Sequence, residues 1–399
     1  MNDSTIREIN FNNFNLPIVI ENDSEYYGNL KYKLNEYINH IQKISGFCAE
    51  SMKKTEENVD FLIKSLECYY NADIDKAKIN ILNLLKNYVD NKFIVSQLNK
   101  SYAFRGIAPF KELHSINCAY EDTNSNELSF FKSRVGDNIF NRKDMLHIPF
   151  NKRELVKTQR FSISGVPCLY LGATSYVCWL EMDKPQDNIF NVSSYKIKKE
   201  LKVLNLTLDQ ALINGQAINV LICDKDKREK NIELLKTMIE IFPLICATSY
   251  TVKKKYRDFK SEYIIAQLIM QCLGELEIEA IAYTSKKVSD ASIGYPQCVN
   301  LAIPMKAGAK YDIDSEIEQY GNICEYIYLS DPLNFSEYLK VSKPESFIEK
   351  NSYLNLCFND GFPSNIKLAN KNIQYQDTIF SKFDDYLYSL EHKRAEIYK

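Results

Sequence analysis

With 399 residues, the chain is long enough for about two or three domains, each with its own hydrophobic core. Hydrophobic residues make up 45% and charged residues 26%, a composition typical of soluble globular proteins. The formal net charge of −2 gives no indication of binding to nucleic acid or to an anionic membrane surface.

Targeting segments and cysteine usage favour a cytoplasmic protein. No stretch approaches the roughly 18 to 20 apolar residues of a membrane span, so we expect no membrane association. Residues 1–15 are polar and lack the basic and apolar regions of a signal peptide. The eleven cysteines are scattered singly and form no CxxC pair, so we expect neither a disulfide framework nor a metal site.

The first hundred residues predict an all-α module. Apolar residues recur at helical spacing around residues 30–41, 59–71 and 81–88, within a region from about 28 to 100 that has almost no Gly or Pro. We therefore expect three helices within a module that spans residues 1–101. Its charged faces are ordinary solvated surfaces.

Short apolar runs rich in β-branched and aromatic residues begin after Tyr102. They predict strands at residues 128–135, 167–171, 203–206, 278–283 and 299–303. A helix at 228–242 is expected to end at Pro243, and a helix at 260–273 to stop at Gly274. This pattern indicates an α+β domain over residues 102–310, followed by a C-terminal extension, 311–399, with a further strand and helix.

One segment, residues 158–181, combines features that suggest chemistry. Arg160 precedes a Ser/Gly/Pro turn, Tyr170 lies in an apolar strand, and Glu181 falls about two turns into the helix that follows. A carboxylate among apolar neighbours is destabilising unless it is paired or functional. Taken alone, pairing with a nearby Arg or Lys is the simpler explanation of Glu181.

The order of residues around this segment resembles the RES-domain family, which is named for its Arg, Glu and Ser. Members carry an arginine on the first strand, an Arg-aromatic-(Asn/Ser) step and a Gly-x-Pro-x-Leu-Tyr-Leu strand. A glutamate, a helical Gln and a Tyr-x-Ser step come later. The match covers about residues 130–304, and the corresponding residues here are, in chain order, Arg134, Arg160, Ser162, Tyr170, Glu181, Gln267 and Ser285.

The resemblance implies a fold and an activity. The family's fold resembles that of ADP-ribosyltransferases, and longer members often carry a helical N-terminal module. Known members consume NAD⁺ by hydrolysis, by phosphorolysis or by ADP-ribosylating a protein, and many are toxins or abortive-infection effectors. The expectation is therefore an N-terminal helical module followed by an ADP-ribosyltransferase-like α/β RES domain, with NAD⁺ as substrate and no cofactor required.

The resemblance also implies roles for individual residues. Glu181 is expected to stabilise the oxocarbenium-like ribose that forms when the nicotinamide–ribose bond breaks. Guanidinium forks suit a pyrophosphate, which assigns Arg134 and Arg160 to the phosphates. Tyr170 offers an aromatic face to nicotinamide, with core packing as the alternative. Ser285 is expected to contact NAD⁺ or Glu181, with a role in a turn as the alternative. Ser162 is expected to contact NAD⁺, and Gln267 is expected to act as a supporting residue.

Two positions depart from the family pattern. Long members often have Arg-x-Arg on the first strand, whereas this chain has Lys132 before Arg134. Alternation places both residues on one face of the strand, and Arg134 is preferred as the phosphate ligand because lysine lacks a bidentate fork. Secondly, Leu180 stands where relatives often have a second carboxylate, which leaves Glu181 as the catalytic candidate.

Alternative functions were weighed against this one. Arg142 and His147 have the spacing of a nuclease motif, but they lie outside the helical module and the match is interpreted as coincidental. No Gly-rich phosphate loop is present, so NAD⁺ is not expected to serve as a hydride carrier. An NAD⁺ glycohydrolase or phosphorylase is preferred, and a protein ADP-ribosyltransferase and a non-catalytic nucleotide sensor remain open. Restraint by an antitoxin, by homo-oligomerisation or by the helical module is expected.

Overall fold

A computed structural model of the protein describes residues 11–44, 48–104, 128–208, 212, 228–254, 256–288, 297–306, 320–321, 326–341, 365–368 and 371–394. All of the predicted site residues fall within these ranges. The α+β class is confirmed: helices pack on a mixed sheet, and a group of helices precedes most of the strands.

Three helices near the N-terminus confirm the predicted helical module. They are α1 Glu25–Gln42, α2 Ala49–Tyr70 and α3 Ile74–Lys86. In α1 the buried residues recur every three to four positions, so one stripe faces the core. In α3 the side chain of Asp73 caps the first turn by accepting a hydrogen bond from the Lys76 amide. The expectation of helix up to residue 100 was wrong, because Val95–Gln97 forms a strand.

All five predicted strands are confirmed, with bounds shifted by a residue or two. The strands of the described residues are β1 Ile18–Ile20, β2 Val95–Gln97, β3 Ser129–Val135, β4 Cys168–Gly172, β5 Phe190–Ile197, β6 Lys202–Leu206, β7 Tyr250–Val252, β8 Ala280–Thr284, β9 Val299–Pro304, β10 Ile327–Leu329, β11 Leu333–Asn334, β12 Asn365–Leu368, β13 Lys371–Gln374 and β14 Lys393–Arg394. Ten of them form one sheet in the order β14-β10-β5-β3-β4-β9-β8-β6-β2, with β11 beside β5. The β6–β8 pair is parallel and its neighbours are antiparallel, so the sheet is mixed.

Five further helices complete the described elements. They are α4 Ser175–Glu181, α5 Arg228–Ala247, α6 Ile264–Cys272, α7 Phe335–Val341 and α8 Ile379–Ser389. One apolar cluster joins α1, α2 and α3 to α5, α6 and side chains of β6, β8 and β9. A second cluster joins α4, α7 and α8 to β3, β4 and β5. The predicted strand and helix of the C-terminal extension are confirmed by β10 and α7.

The prediction that Pro243 ends its helix was wrong, because α5 continues to Ala247. A proline inside a helix removes the hydrogen bond to the carbonyl four residues earlier, here that of Ile239. Tyr37 of α1 donates its hydroxyl to this carbonyl at 2.8 Å, and Asn58 of α2 donates to the next carbonyl, that of Glu240, at 2.8 Å. Tyr37 therefore supplies the one donor that the proline removes, and Asn58 adds a hydrogen bond to the adjacent carbonyl.

The second predicted helix ends as an α-helix at Cys272, one residue before the predicted end, and the turns that follow it are 3₁₀. Helical turns continue beyond α6 to Leu276, and Glu277 rather than Gly274 adopts the left-handed cap conformation, with φ of 54°. The Ile278 amide bonds to the Leu273 carbonyl at 2.9 Å, which closes the helix end.

The sheet is weakly joined between β3 and β4. Strand β3 pairs with β5 along seven residues, but it meets β4 at one pair, Phe131 opposite Gly172. Helix α4 packs over this point, and a side chain at Gly172 would collide with Val177 and Cys178. Gly172 therefore allows the helix to approach the strands closely where they diverge.

Candidate functional site

Glu181 is the last residue of α4 and is half-buried. Its Oε1 accepts a hydrogen bond at 2.6 Å from Nδ2 of Asn300, a buried residue of β9. No donor from the described residues reaches its Oε2. The carboxylate is thus held in place through one oxygen by a neutral partner, and its charge is not compensated by an ion pair with a described residue.

An aromatic group borders this carboxylate. Asn300 lies opposite Tyr283 on one side and Gly172 on the other, so β4, β8 and β9 meet beside Glu181. The rings of Phe161 and Tyr283 contact each other with centroids 4.5 Å apart. Burial, reinforced by the charge of Glu181, raises the pKa of the Tyr283 phenol well above its ordinary value. Tyr283 is therefore a neutral aromatic surface next to the carboxylate.

Tyr170 belongs to the same aromatic group. It is half-buried, and its Oη donates to the Phe161 carbonyl oxygen at 2.5 Å. Burial raises the pKa of its phenol, and nearby Cys168 and Tyr283 add to the effect. Because its hydroxyl is bonded to the main chain, the ring rather than the hydroxyl is the group that Tyr170 offers to a ligand.

The two basic residues of β3 lie beyond the point where β3 and β4 meet. Lys132 is half-buried and forms no hydrogen bond or ion pair with a described residue. Burial, together with the charge of Arg134, lowers its pKa to about 8. Arg134 is exposed, donates Nη1 to the Asp144 carbonyl at 2.5 Å and lies over the Phe140 ring. Among the described residues, the Lys132 ammonium has no hydrogen-bond partner, whereas the Arg134 guanidinium has one.

The charges of Lys132 and Glu181 both shift the pKa of the Cys178 thiol. Burial is the main cause of the raised pKa of Cys178 in α4; the charge of Glu181 raises it further, and the charge of Lys132 lowers it. The Cys178 thiol also donates to the Phe131 carbonyl of β3 at 3.2 Å, so α4 packs directly on β3. This arrangement brings β3 and the end of α4 into one neighbourhood.

Arg160 is engaged by the main chain. Its Nη1 donates to the carbonyls of Thr248 at 3.0 Å and Glu262 at 3.2 Å, and its Nη2 donates to that of Tyr250 at 2.7 Å. The guanidinium also lies over the Tyr263 ring at 4.8 Å. These contacts tie the turn before β4 to β7 and α6. Contact between Arg160 and phosphate stays a prediction.

Three other predicted residues form local hydrogen bonds. Ser162 Oγ accepts from the Gln159 amide and donates to the Gln159 carbonyl, and Gln267 Nε2 donates to that carbonyl at 3.2 Å. These bonds hold the turn that contains Arg160. Ser285 is fully buried; its amide bonds to the Cys298 carbonyl, and its Oγ accepts from the Lys287 amide at 3.2 Å. Contacts of these residues with NAD⁺ stay predictions.

Sequence reasoning missed Asn300, and it gave no role to Tyr283, although Tyr283 begins the Tyr-x-Ser step that ends at Ser285. Both lie on strands that were predicted correctly, but only the register between β8 and β9 places them beside Glu181. Asn300 carries one indication in the sequence, since asparagine is uncommon in the middle of a strand of Val, Leu, Ala and Ile. Such a residue in a buried strand needs a polar partner, which here is Glu181.

Two other features, a metal-binding group and a membrane-spanning helix, are absent from the described residues. These residues contain no group of three or more His, Cys, Asp or Glu side chains placed to hold a metal ion. None of their helices is both long and apolar enough to cross a membrane.

Comparison with known proteins identifies a relative over part of the chain. A protein of Bacillus subtilis (strain 168) named "Putative toxin YopC" is 34% identical over 183 residues. The aligned region covers 44% of this chain and 41% of that protein, so the chain spans less than half the length of the relative. No family model matches the chain, and no solved structure matches it.

Proposed function

We propose that this protein is a toxin that consumes NAD⁺ by cleaving its nicotinamide–ribose bond, with Glu181 as the catalytic carboxylate. The observation that carries the proposal is the arrangement of Glu181. One of its oxygens is held by Asn300, the other accepts no hydrogen bond from a described residue, and aromatic rings lie beside it. The name of the Bacillus subtilis relative supports the toxin part of the proposal.

The chemistry follows from the charge that develops during bond cleavage. The electron pair of the C1′–N bond leaves with nicotinamide, and the ribose acquires oxocarbenium character. A fixed carboxylate stabilises this positive charge more than it stabilises the neutral ribose of the substrate, and so lowers the barrier. Asn300 keeps Glu181 in place without neutralising it, because an amide donates a hydrogen bond but carries no charge.

The remaining groups bind the substrate. The rings of Tyr170 and Tyr283 provide a face on which nicotinamide stacks. Lys132 and Arg134 attract the pyrophosphate. Lys132 gains more binding free energy from this contact, because its ammonium has no partner among the described residues. Arg160, Ser162 and Ser285 contribute by holding the turns around the site, and any contact they make with NAD⁺ adds to binding.

Release of nicotinamide from NAD⁺ by the purified full chain tests this function. We expect turnover by wild type and a loss of about 100-fold or more in Glu181→Gln, which preserves the hydrogen bond from Asn300 but removes the charge. The matched control is Asp183→Asn, two residues further on. Asp183 is an exposed acid that pairs with Lys287 and has a positive φ that asparagine tolerates, so this variant should retain wild-type turnover.

Product analysis then identifies the acceptor. Free ADP-ribose indicates water, a phosphorylated ADP-ribose that forms only with added phosphate indicates phosphorolysis, and labelled protein indicates ADP-ribosylation. Absence of nicotinamide release by wild type, or equal release by Glu181→Gln, would contradict the proposed function.

A further inference from the structure

The C-terminal helix α8 packs directly on α4, although it lies far outside the region of family resemblance. Phe380 of α8 contacts Tyr176 and Trp179 of α4, with ring centroids 5.4 Å apart in both cases. The same phenylalanine stacks on Phe335 of α7. An aromatic cluster therefore fastens the helix that carries Glu181 to the last described part of the chain.

A buried carboxyl group reinforces this contact. Asp384 of α8 is fully buried, and its Oδ1 accepts a hydrogen bond at 2.9 Å from the amide of Ser175, the first residue of α4. Its Oδ2 accepts from the Tyr375 hydroxyl at 2.6 Å. The first amides of a helix have no partner within the helix, and Thr174 satisfies a second one, that of Val177. Asp384 thus completes the N-terminal cap of α4 from a distant part of the sequence.

Helix α4 has seven residues, too few to be stable by itself. Its orientation is therefore set by what holds its two ends: Asp384 and Thr174 at Ser175, and Asn300 at Glu181. With a rise of about 1.5 Å per residue the two ends are roughly 9 Å apart, so a small tilt at the first end displaces the carboxylate at the second.

We propose that Asp384 is a positioning residue for Glu181, and that the C-terminal segment around α8 is a structural part of the active site. The catalytic consequence of this inference rests on the proposed function, whereas its structural consequence does not. Burial raises the pKa of Asp384 to about 8, because the charged form of the carboxyl group is desolvated at this position.

The experiment compares Asp384→Ala, Asp384→Asn and Asp73→Ala with wild type, all as the full chain. The asparagine is isosteric and keeps an oxygen for the Ser175 amide, whereas alanine removes the cap. Asp73→Ala is the matched control because Asp73 caps α3, which has no part in the proposed site. Amide hydrogen exchange in α4 and α3, and kcat and KM for nicotinamide release, are measured for each protein.

We expect Asp384→Ala to accelerate exchange in α4 and to lower kcat by up to about 100-fold, with KM changed much less, because the binding residues of β3 and β4 are untouched. Asp384→Asn should restore most of both properties. Asp73→Ala should accelerate exchange in α3 and leave kcat at the wild-type value.

The inference is overturned if the α4 amides of Asp384→Ala exchange at the wild-type rate. It is also overturned if Asp73→Ala loses as much kcat as Asp384→Ala. If Asp384→Ala does not fold, Asp384→Asn and Tyr375→Phe replace it. Near-native kcat in Asp384→Asn together with faster α4 exchange in Tyr375→Phe supports the inference. A large loss of kcat in Asp384→Asn together with wild-type α4 exchange in Tyr375→Phe overturns it. If wild type releases no nicotinamide, the proposed function fails while hydrogen exchange still decides whether Asp384 holds α4.

Discussion

At the scale of single residues, three charged side chains in partly apolar surroundings are accommodated in different ways. Arg160 donates to three main-chain carbonyls, and Glu181 accepts from one neutral amide. Lys132 has neither kind of partner among the described residues, and its pKa falls to about 8 because it is buried near Arg134. Arg160 is thereby stabilised as part of the fold, whereas Glu181 and Lys132 keep the capacity to interact with a ligand.

Lys132→Met should stabilise the protein and impair its activity. Burial places the pKa of Lys132 below the ordinary 10.5, so the folded state bears the full desolvation penalty below pH 8 and loses it as the pH rises towards 10.5. At pH 7 we expect the variant to gain about 1 to 3 kcal/mol in free energy of unfolding, measured with urea, and this gain to shrink above pH 8.

The same variant should raise KM for NAD⁺, because the ammonium is assigned to the pyrophosphate. Lys86→Met serves as control, since Lys86 is an exposed lysine at the end of α3, outside the site, and its replacement should change stability by less than about 0.5 kcal/mol. A Lys132→Met protein that is less stable than wild type at pH 7 would contradict the argument.

At the scale of elements, α5 illustrates how tertiary contacts override a local preference. Pro243 predicts a helix end, and the chain nevertheless stays helical to Ala247. The Tyr37 hydroxyl explains this, because it donates to the Ile239 carbonyl that the proline leaves open, and Asn58 adds a bond to the neighbouring Glu240 carbonyl. The N-terminal helices therefore contribute hydrogen bonds as well as apolar contacts to the body of the protein.

A double-mutant cycle between Tyr37 and Pro243 tests this explanation. Tyr37→Phe leaves the buried Ile239 carbonyl without its donor and should lower the free energy of unfolding by about 1 to 3 kcal/mol. In the Pro243→Ala background the new amide of residue 243 supplies a donor, so the same substitution should have a smaller effect. Equal effects of Tyr37→Phe in both backgrounds, measured by urea unfolding, would show that the hydroxyl does not compensate for the proline.

At the scale of the whole molecule, the described N-terminal helices and the sheet form a continuous structure. One apolar cluster contains side chains of α1, α2 and α3 together with those of α5, α6 and four strands of the sheet, β2, β6, β8 and β9. Strand β2, which follows α3 in the chain, is also the edge strand beside β6. The region of family resemblance thus shares its core with residues that precede it.

We expect a fragment of residues 102–310 not to fold by itself. Removal of the first 101 residues exposes the apolar faces of α5 and α6 and takes away the donors to the Ile239 and Glu240 carbonyls. Far-UV circular dichroism and limited proteolysis measure whether the fragment is folded. The control fragment, residues 102–399, contains α8 and therefore distinguishes loss of the N-terminal helices from loss of α8. Co-expression of residues 1–101 with residues 102–399 should restore a soluble complex. A fragment that is monomeric and unfolds cooperatively without its N-terminal partner would refute this expectation.

Elements with a regular apolar pattern were predictable, whereas a central strand was not. β3, β4, β6, β8 and β9 follow from runs of β-branched and aromatic residues, and α1 follows from Leu30 and Leu34. Strand β5 was missed because Asn191, Ser193 and Ser194 interrupt its apolar pattern, although all three are buried. Ser194 and Asn191 are tolerated there because they bond to distant groups, including the Leu387 and Gly136 carbonyls, and nothing local to the strand reveals those partners.

By itself, the sequence determined the α+β class, six of the ten strands of the main sheet and the residues on which the proposed function depends. Those features are encoded by local periodicity and by the order of a few residues. The tertiary structure decided the contacts: Asn300 donates to Glu181, Arg160 donates to the Tyr250 carbonyl, and Asp384 accepts from the Ser175 amide at the start of α4. Each of these contacts joins residues that are 90 or more positions apart, and such pairing depends on sheet register and helix packing, which a one-dimensional pattern does not contain.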